Sequence, residues 1–311
     1  MSTELPRYIL ITPARNEAPF IGMTIESVLA QTHRPAKWII VSDGSTDGTN
    51  EIVEPYAAAH DWIELVKLPE RTQRHFAGKA AAFNQGSSRI GDTPYEVIGN
   101  LDADVTFEPD YLKFLMRKFA ESPRLGVAGT PYREDNMMYD ERFKSPDHVS
   151  GACQLFRREC FEAIGGYPLI RTGGIDFIAL LKAQAAGWET RRFEEKFCWH
   201  HRSVGSGLHG RVYQRLLNHG KMDYLLGSHP VFEVFRTALQ MRRRPYLIGG
   251  TLMLAGYVWA MLRRMERSVP QPLIELRQRE QIKRLKGVLR HPLKYGSGLN
   301  HPVHGTAQSG Q

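Results

Sequence analysis

Short apolar runs alternate with amphipathic stretches through the first 130 residues. Tyr8–Thr12 (YILIT), Trp38–Ser42, Trp62–Leu68, Tyr95–Leu101 and Leu125–Thr130 read as strands. Between them Pro19–Ala30, Thr46–Ala59, Gly78–Ser88 and Pro109–Ala120 carry helical spacing, two of them opening on the Pro that suits an early helical position. This alternation predicts βαβ units and an α/β fold with a mostly parallel central sheet flanked by helices. Pro131–Val149 is polar and without period, which predicts a mobile lid that orders over a bound ligand. Beyond it a strand and short helix (Gly151–Tyr167), a helix (Phe177–Ala186) and a strand (Glu189–Trp199) are expected, followed by a C-terminal helical region.

In open α/β sheets ligands sit beyond the carboxyl ends of the strands, and here those ends are polar. The first strand exits into Thr12-Pro13-Ala14-Arg15-Asn16-Glu17, the second into Asp43-Gly44-Ser45-Thr46-Asp47-Gly48, the fourth into Asp102-Ala103-Asp104. Carboxylates gathered at one edge repel unless a cation or a donor-rich ligand compensates them. Asp47 is accounted for by turn and cap duty before the following helix; Asp43 is not. Asp102 and Asp104 can reach one cleft, and a hard cation such as Mg²⁺ or Mn²⁺ accepts one or two carboxylates together with substrate phosphates. No Gly-x-Gly-x-x-Gly follows the first strand and no Gly-x-x-x-x-Gly-Lys-Ser/Thr occurs, which argues against dinucleotide oxidoreductases and P-loop nucleotidases.

Composition adds limits. With 42% hydrophobic and 24% charged residues, the 311-residue chain can bury a core, which excludes a disordered or low-complexity protein. Its three cysteines, Cys153, Cys160 and Cys198, lack metal or disulfide spacing and are expected as buried free thiols in a reducing compartment. Met1–Pro6 shows no secretory leader, so folding in the cytoplasm is expected. The net charge of +8 divides unevenly: residues 1–239 sum to −2 and residues 240–311 to +10. The basic surplus therefore belongs to the C-terminal region; no nucleic-acid motif accompanies it, so no nucleic acid is expected as a partner.

The ordered series Thr12–Glu17, Val41–Thr49, Gly78-Lys79-Ala80-Ala81-Ala82-Phe83-Asn84 and Leu101–Asp104 resembles family 2 glycosyltransferases of the GT-A fold, from about Tyr8 to about His201. The resemblance implies a nucleotide-diphosphate-sugar donor, with Pro13, Ala14 and Glu17 lining the nucleoside pocket and Asp43 bonding the base. Lys79 would border the nucleotide, Asp102 would face the ribose and sugar, and Asp104 would bind the Mn²⁺ or Mg²⁺ that bridges the diphosphate. Where the family carries a Glu-Asp pair before an Ala-Gly-aromatic string, this chain has Ile175-Asp176 before Ala186-Gly187-Trp188. Asp176 then falls on the catalytic base, and the missing acid leaves a nucleotide-sugar-binding scaffold without turnover as the alternative. His200 or His201 would add a metal contact, with His200 preferred.

Absence of the Gln-x-x-Arg-Trp string found in processive members implies one sugar per encounter, moved with inversion to a hydroxyl of a lipid-linked or saccharide acceptor. The expected organisation is a glycosyltransferase domain over 1–228, with a donor half over about 1–130 and an acceptor half over about 131–228. A basic helical region (229–294) and a flexible tail (295–311) follow. Within it Tyr246–Leu262 is uncharged and flanked by arginines, but short of the roughly 20 residues of a spanning helix. An interfacial or re-entrant helix at an anionic membrane surface, on the cytoplasmic face, is the expectation, with a single-pass span as the alternative. Ile274–Leu289 reads as a basic amphipathic helix suited to the same leaflet or to a partner groove.

Overall fold

The computed structural model describes residues 4–70, 76–134, 147–170, 173–202, 212–242 and 245–290. Residues 135–146, the centre of the expected lid, and the expected tail over 295–311 lie outside them.

The five apolar runs form β1 (Tyr8–Ala14), β2 (Lys37–Asp43), β3 (Ile63–Leu68), β4 (Val97–Leu101) and β6 (Leu125–Gly129). They join β8 (Cys153–Arg157) and β9 (Glu189–Arg192) in one seven-stranded sheet of order β3-β2-β1-β4-β8-β6-β9. β8 is antiparallel to both neighbours, β4 and β6; the remaining pairs are parallel. Alternate residues of the strands feed two apolar layers. Tyr8, Leu10, Trp38 and Ile40 pack with α1 (Ile21–Leu29), α2 (Thr49–Ala59) and α4 (Tyr111–Glu121). Ile9, Ile11, Ile39 and Val41 pack with α3 (Phe76–Ser87), α5 (Arg158–Ala163) and α6 (Ile175–Ala185) on the other face. Such double burial explains why the strands read as continuous apolar runs.

Three sequence expectations are corrected. Pro19 and Pro109 sit in the turns before α1 and α4, not in their first helical positions. The helix expected from Thr46 starts at Thr49, because Gly48, at φ +93°, takes the cap position. The single strand expected over Glu189–Trp199 is two: β9 ends at Arg192 and β10 (Cys198–His200) leaves the main sheet. β10 joins β5 (Val105–Thr106) and β7 (Tyr132–Arg133) in a small sheet of order β5-β10-β7.

The C-terminal region is four helices, α7 (Val212–Leu225), α8 (Pro230–Gln240), α9 (Ile248–Leu262) and α10 (Gln271–Arg290). Glycines form the seam of the α7–α9 pair: a Cβ at Gly220 would meet the Met253 carbonyl, and one at Gly256 the Leu217 carbonyl, both inside contact distance. Among the described residues no helix is long and apolar enough to cross a membrane. The helix expected over Ile274–Leu289 buries Ile274 against Ile178 and Leu226. Polar side chains tie it further, Arg277 to the Leu226 carbonyl and Gln281 to Ser228 and the His229 amide.

At the centre of these helices Asp223 and Glu233 are buried with Arg236 and Arg277. Burial and repulsion from Asp223 push the Glu233 carboxyl up to about 7, against the pull of Arg236. A carboxyl held above its unfolded value favours the native state while protonated, so this contribution is present below about pH 4.5 and is lost as pH rises through about 7. Glu233→Gln is therefore expected to remove a decline in melting temperature between pH 5 and 8. Thermal unfolding followed across that range checks it; parallel profiles for the two proteins would contradict the assignment.

Candidate active site

The candidate residues converge on the carboxyl edge of β1, β2 and β4. The exits of β1 and β2 are stitched together: the Thr46 amide donates to Asn16 Oδ1 at 2.9 Å, the Glu17 amide to Thr49 Oγ1 at 2.9 Å, and the Ala18 amide to Asp47 Oδ2 at 3.0 Å. Asn16 adopts φ +55°, an arrangement Asn tolerates better than most residues. Pro13 and Ala14 pair in register with Val41 and Ser42, which leads to Asp43, buried at the end of β2 with Arg15 4.0 Å away.

Beyond β4, Asp102 accepts from Asn100 Nδ2 at 3.1 Å and pairs with Lys79 of α3 at 2.5 Å. Burial alone would lower the Lys79 pKa, but Asp102 at contact, with Asp176 and Asp104 farther off, raises it above the ordinary value.

The small sheet brings in the rest. Its register sets His200 opposite Val105, next to Asp104, and His200 Nε2 lies 3.4 Å from Asp104 Oδ1 while Nδ1 lies 3.1 Å from Glu134 Oε1. His201 points elsewhere, its Nε2 2.8 Å from Thr106 Oγ1. Ligand atoms of Asp102, Asp104 and His200 all lie within 4.8 Å of one another. Burial is the main force raising the Asp104 pKa, opposed by His200. Burial would lower that of His200, but its bond to Glu134 and the charge of Asp104 raise it instead. Two carboxylates and an imidazole crowded into a partly buried space make a donor set that fits Mn²⁺ or Mg²⁺, with the imidazole favouring Mn²⁺.

Asp176 lies in the first turn of α6 but does not cap it; Gly174, at φ +75°, occupies that position. The Asp176 carboxylate instead accepts from the Gly151 amide at 3.1 Å. Any side chain at Gly151 would crowd this contact, since a Cβ would stand 2.9 Å from Asp176 Oδ2. The Gly151 carbonyl in turn accepts from Asn100, so Asn100 links the base candidate to Asp102. Ile175, where the resembling family has an acid, is buried in the apolar layer beneath α6.

Arg202 was not anticipated. Its guanidinium donates to Glu17 Oε2 at 2.6 Å and to the Asn16 carbonyl at 2.9 Å, and its Nε stands 3.9 Å from Asp104. It therefore joins the nucleoside side of the cleft to the acidic cluster. The only sequence signal was its position directly after the two histidines.

Comparison with known proteins agrees with this geometry. Residues 9–149 match the family described as Glycosyl transferase family 2. Poly-beta-1,6-N-acetyl-D-glucosamine synthase of Staphylococcus aureus (strain COL) is 33% identical over 129 residues, 41% of this chain and 29% of that protein. The synthase of Staphylococcus epidermidis is 34% identical over 117 residues, 37% of this chain and 26% of that protein. The alignments thus span less than a third of these relatives. Among solved structures, the mannosyltransferase PcManGT from Pyrobaculum calidifontis in complex with GDP-Man and Mn²⁺ superposes with a TM-score of 0.56 at 20% identity, over 95% of this chain and 84% of that one. S. aureus TarS 1-349 in complex with UDP-GlcNAc follows at 0.51 and 14%, over 84% of this chain and 74% of that one. Residues 9–149 therefore resemble glycosyl transferase family 2, and the chain has the fold of these solved glycosyltransferases.

Proposed function

We propose that the chain is a metal-dependent, inverting and non-processive glycosyltransferase that moves a sugar from a nucleotide-diphosphate-sugar to a hydroxyl of a lipid-linked or saccharide acceptor. The observation that carries this reading is the cluster of Asp102, Asp104 and His200, whose ligand atoms lie within 4.8 Å of one another, with Lys79 paired to Asp102. A cation on Asp102, Asp104 and His200 would neutralise charge on the departing diphosphate. Lys79 fixes the Asp102 carboxylate, and Arg202 fixes Glu17 at the nucleoside side. Pro13, Ala14 and Asp43 shape the pocket for the base. Asp176 takes the acceptor proton, its carboxylate aimed by the Gly151 amide.

The scaffold alternative rested on Ile175. That side chain packs into the apolar layer, and Asp176 keeps its own hydrogen-bond partner without a neighbouring acid. Thermal-shift measurements with UDP, GDP and their sugars, each with and without Mn²⁺, test the donor reading. At least one nucleotide is expected to stabilise the protein only with the metal; a flat response across the panel would sink it.

We also assign α9 to a membrane interface on the cytoplasmic face. Its glycine side is packed on α7, while Ile248, Trp259 and Leu262 are exposed on the other, beside exposed Tyr246, Leu247, Arg242, Arg263 and Arg264. An apolar stripe with basic ends suits an anionic leaflet. Trp259→Glu combined with Leu262→Glu is expected to abolish flotation with anionic vesicles at unchanged thermal stability; undiminished flotation would refute the assignment.

A further inference from the structure

His200 stands between two acids because of where it falls in the small sheet. In the antiparallel pairing of β10 with β5 it lies opposite Val105, the residue after Asp104. In the parallel pairing of β10 with β7, Cys198 matches Tyr132 and Trp199 matches Arg133, so one more step along the same register sets His200 beside Glu134. Neighbouring strands lie only about 4.8 Å apart, and an imidazole on the middle strand can be addressed from both sides at once. Its Nε2 lies 3.4 Å from Asp104 Oδ1 and its Nδ1 3.1 Å from Glu134 Oε1. Both partners of the second contact are enclosed, with the His200 side chain 11% exposed and that of Glu134 7%. The contact is therefore shielded from competing water.

An imidazole ligates a cation through the lone pair of one nitrogen, and in the neutral ring the proton then sits on the other. Nε2 is the nitrogen turned toward Asp104, so a ligating His200 carries its proton on Nδ1. An ionised carboxylate only accepts hydrogen bonds, so Glu134 stabilises that tautomer and disfavours the other. In the other tautomer the proton would occupy the lone pair on Nε2. An anionic acceptor at the far nitrogen also makes the near one a more basic ligand. The gain matters more for Mn²⁺, which accepts imidazole readily, than for Mg²⁺, which is held by oxygen ligands. Glu134 is not a member of the Asp102, Asp104 and His200 cluster, so it acts through the ring.

From this arrangement we infer that Glu134 is a positioning residue for the metal site: by accepting from His200 Nδ1 it keeps Nε2 available beside Asp102 and Asp104, and it biases the site toward Mn²⁺ over Mg²⁺. This rests on the metal-dependent reading of the cleft, but not on turnover, donor or acceptor.

Titration of the full chain with Mn²⁺ alone, followed by the paramagnetic resonance signal of the free ion and repeated in competition with Mg²⁺, tests it. Glu134→Ala is expected to weaken Mn²⁺ binding by about 10–100-fold, the usual cost of losing the acceptor behind a ligating histidine. Mg²⁺ binding should change by less than about threefold, so the preference for Mn²⁺ falls. His200→Ala should lose as much Mn²⁺ affinity, and the double variant no more than either single one, because Glu134 acts only through the ring. Wild-type Mn²⁺ affinity in Glu134→Ala, equal losses for Mn²⁺ and Mg²⁺, or additive losses in the double variant would each overturn the inference. If Glu134→Ala loses the thermal transition, Glu134→Gln decides, since its amide oxygen is still an acceptor but carries no charge. It should show a smaller fall in Mn²⁺ preference, and an unchanged preference overturns the inference. A wild type that binds no Mn²⁺ at millimolar concentrations refutes the metal reading itself, whereas Mn²⁺ binding indifferent to Glu134 refutes the positioning role alone.

Discussion

Asp104→Ala is expected to lower transfer by about 10³-fold, the loss seen when a group stabilising charge in a transition state is removed. The effect should be large because Asp104 is the most enclosed acid of the cluster, 6% exposed, and stands between His200 and Arg202. Removing its carboxylate leaves Asp102, already committed to Lys79, and an imidazole. The same substitution should erase the metal-dependent part of nucleotide stabilisation while leaving any metal-independent part intact. Transfer rates measured over a Mn²⁺ titration check this. Recovery of wild-type rate at high Mn²⁺ would show that Asp104 only tunes affinity, and wild-type behaviour at all concentrations would remove it from the site.

Asp176→Asn separates proton removal from everything else. Asparagine keeps the volume, and its carbonyl oxygen can still accept from the Gly151 amide. Donor binding and thermal stability should therefore be unchanged, while kcat falls by roughly 10²–10⁴-fold, the usual worth of a general base. A fall in donor affinity with kcat intact would make Asp176 a structural residue. An unchanged kcat with a competent acceptor would exclude it as the base.

The sheet is readable from the sequence because its central strands are buried on both faces, which turns each into an apolar run that no other element of similar length imitates. The same runs mark where Asp43, Asp102 and Asp104 must fall, since each acid directly follows the point where hydrophobicity stops. What escapes is structure made by short or distant partners. β5, β7 and β10 have two or three residues each, too few to show a period, so the sheet that delivers His200 to Asp104 has no local signature. Arg202 finds Glu17 across 185 positions of sequence. In α9, glycines that weaken a transmembrane reading are contact points, Gly256 with α7 and Gly250 with α8, a meaning visible only once the helices are in place. Ile274 is a further case: its place in an amphipathic helix is visible in the sequence, but its packing against Leu226 and Ile178 is not.

The reversed direction of β8 has a consequence for how this fold can diversify. Because β8 runs against β4, the chain enters it at the same edge where β4 leaves, which sets Gly151 and Ala152 against Asn100 and Asp102. The residues after β4 and those before β8 thus meet along one strand-to-strand seam. Insertions or deletions between Glu134 and Gly151 can lengthen or reshape what precedes Gly151 while β7 and Glu134, which hold His200, stay in place. A lineage can therefore rebuild that connection while the acidic cluster at the end of β4 stays fixed.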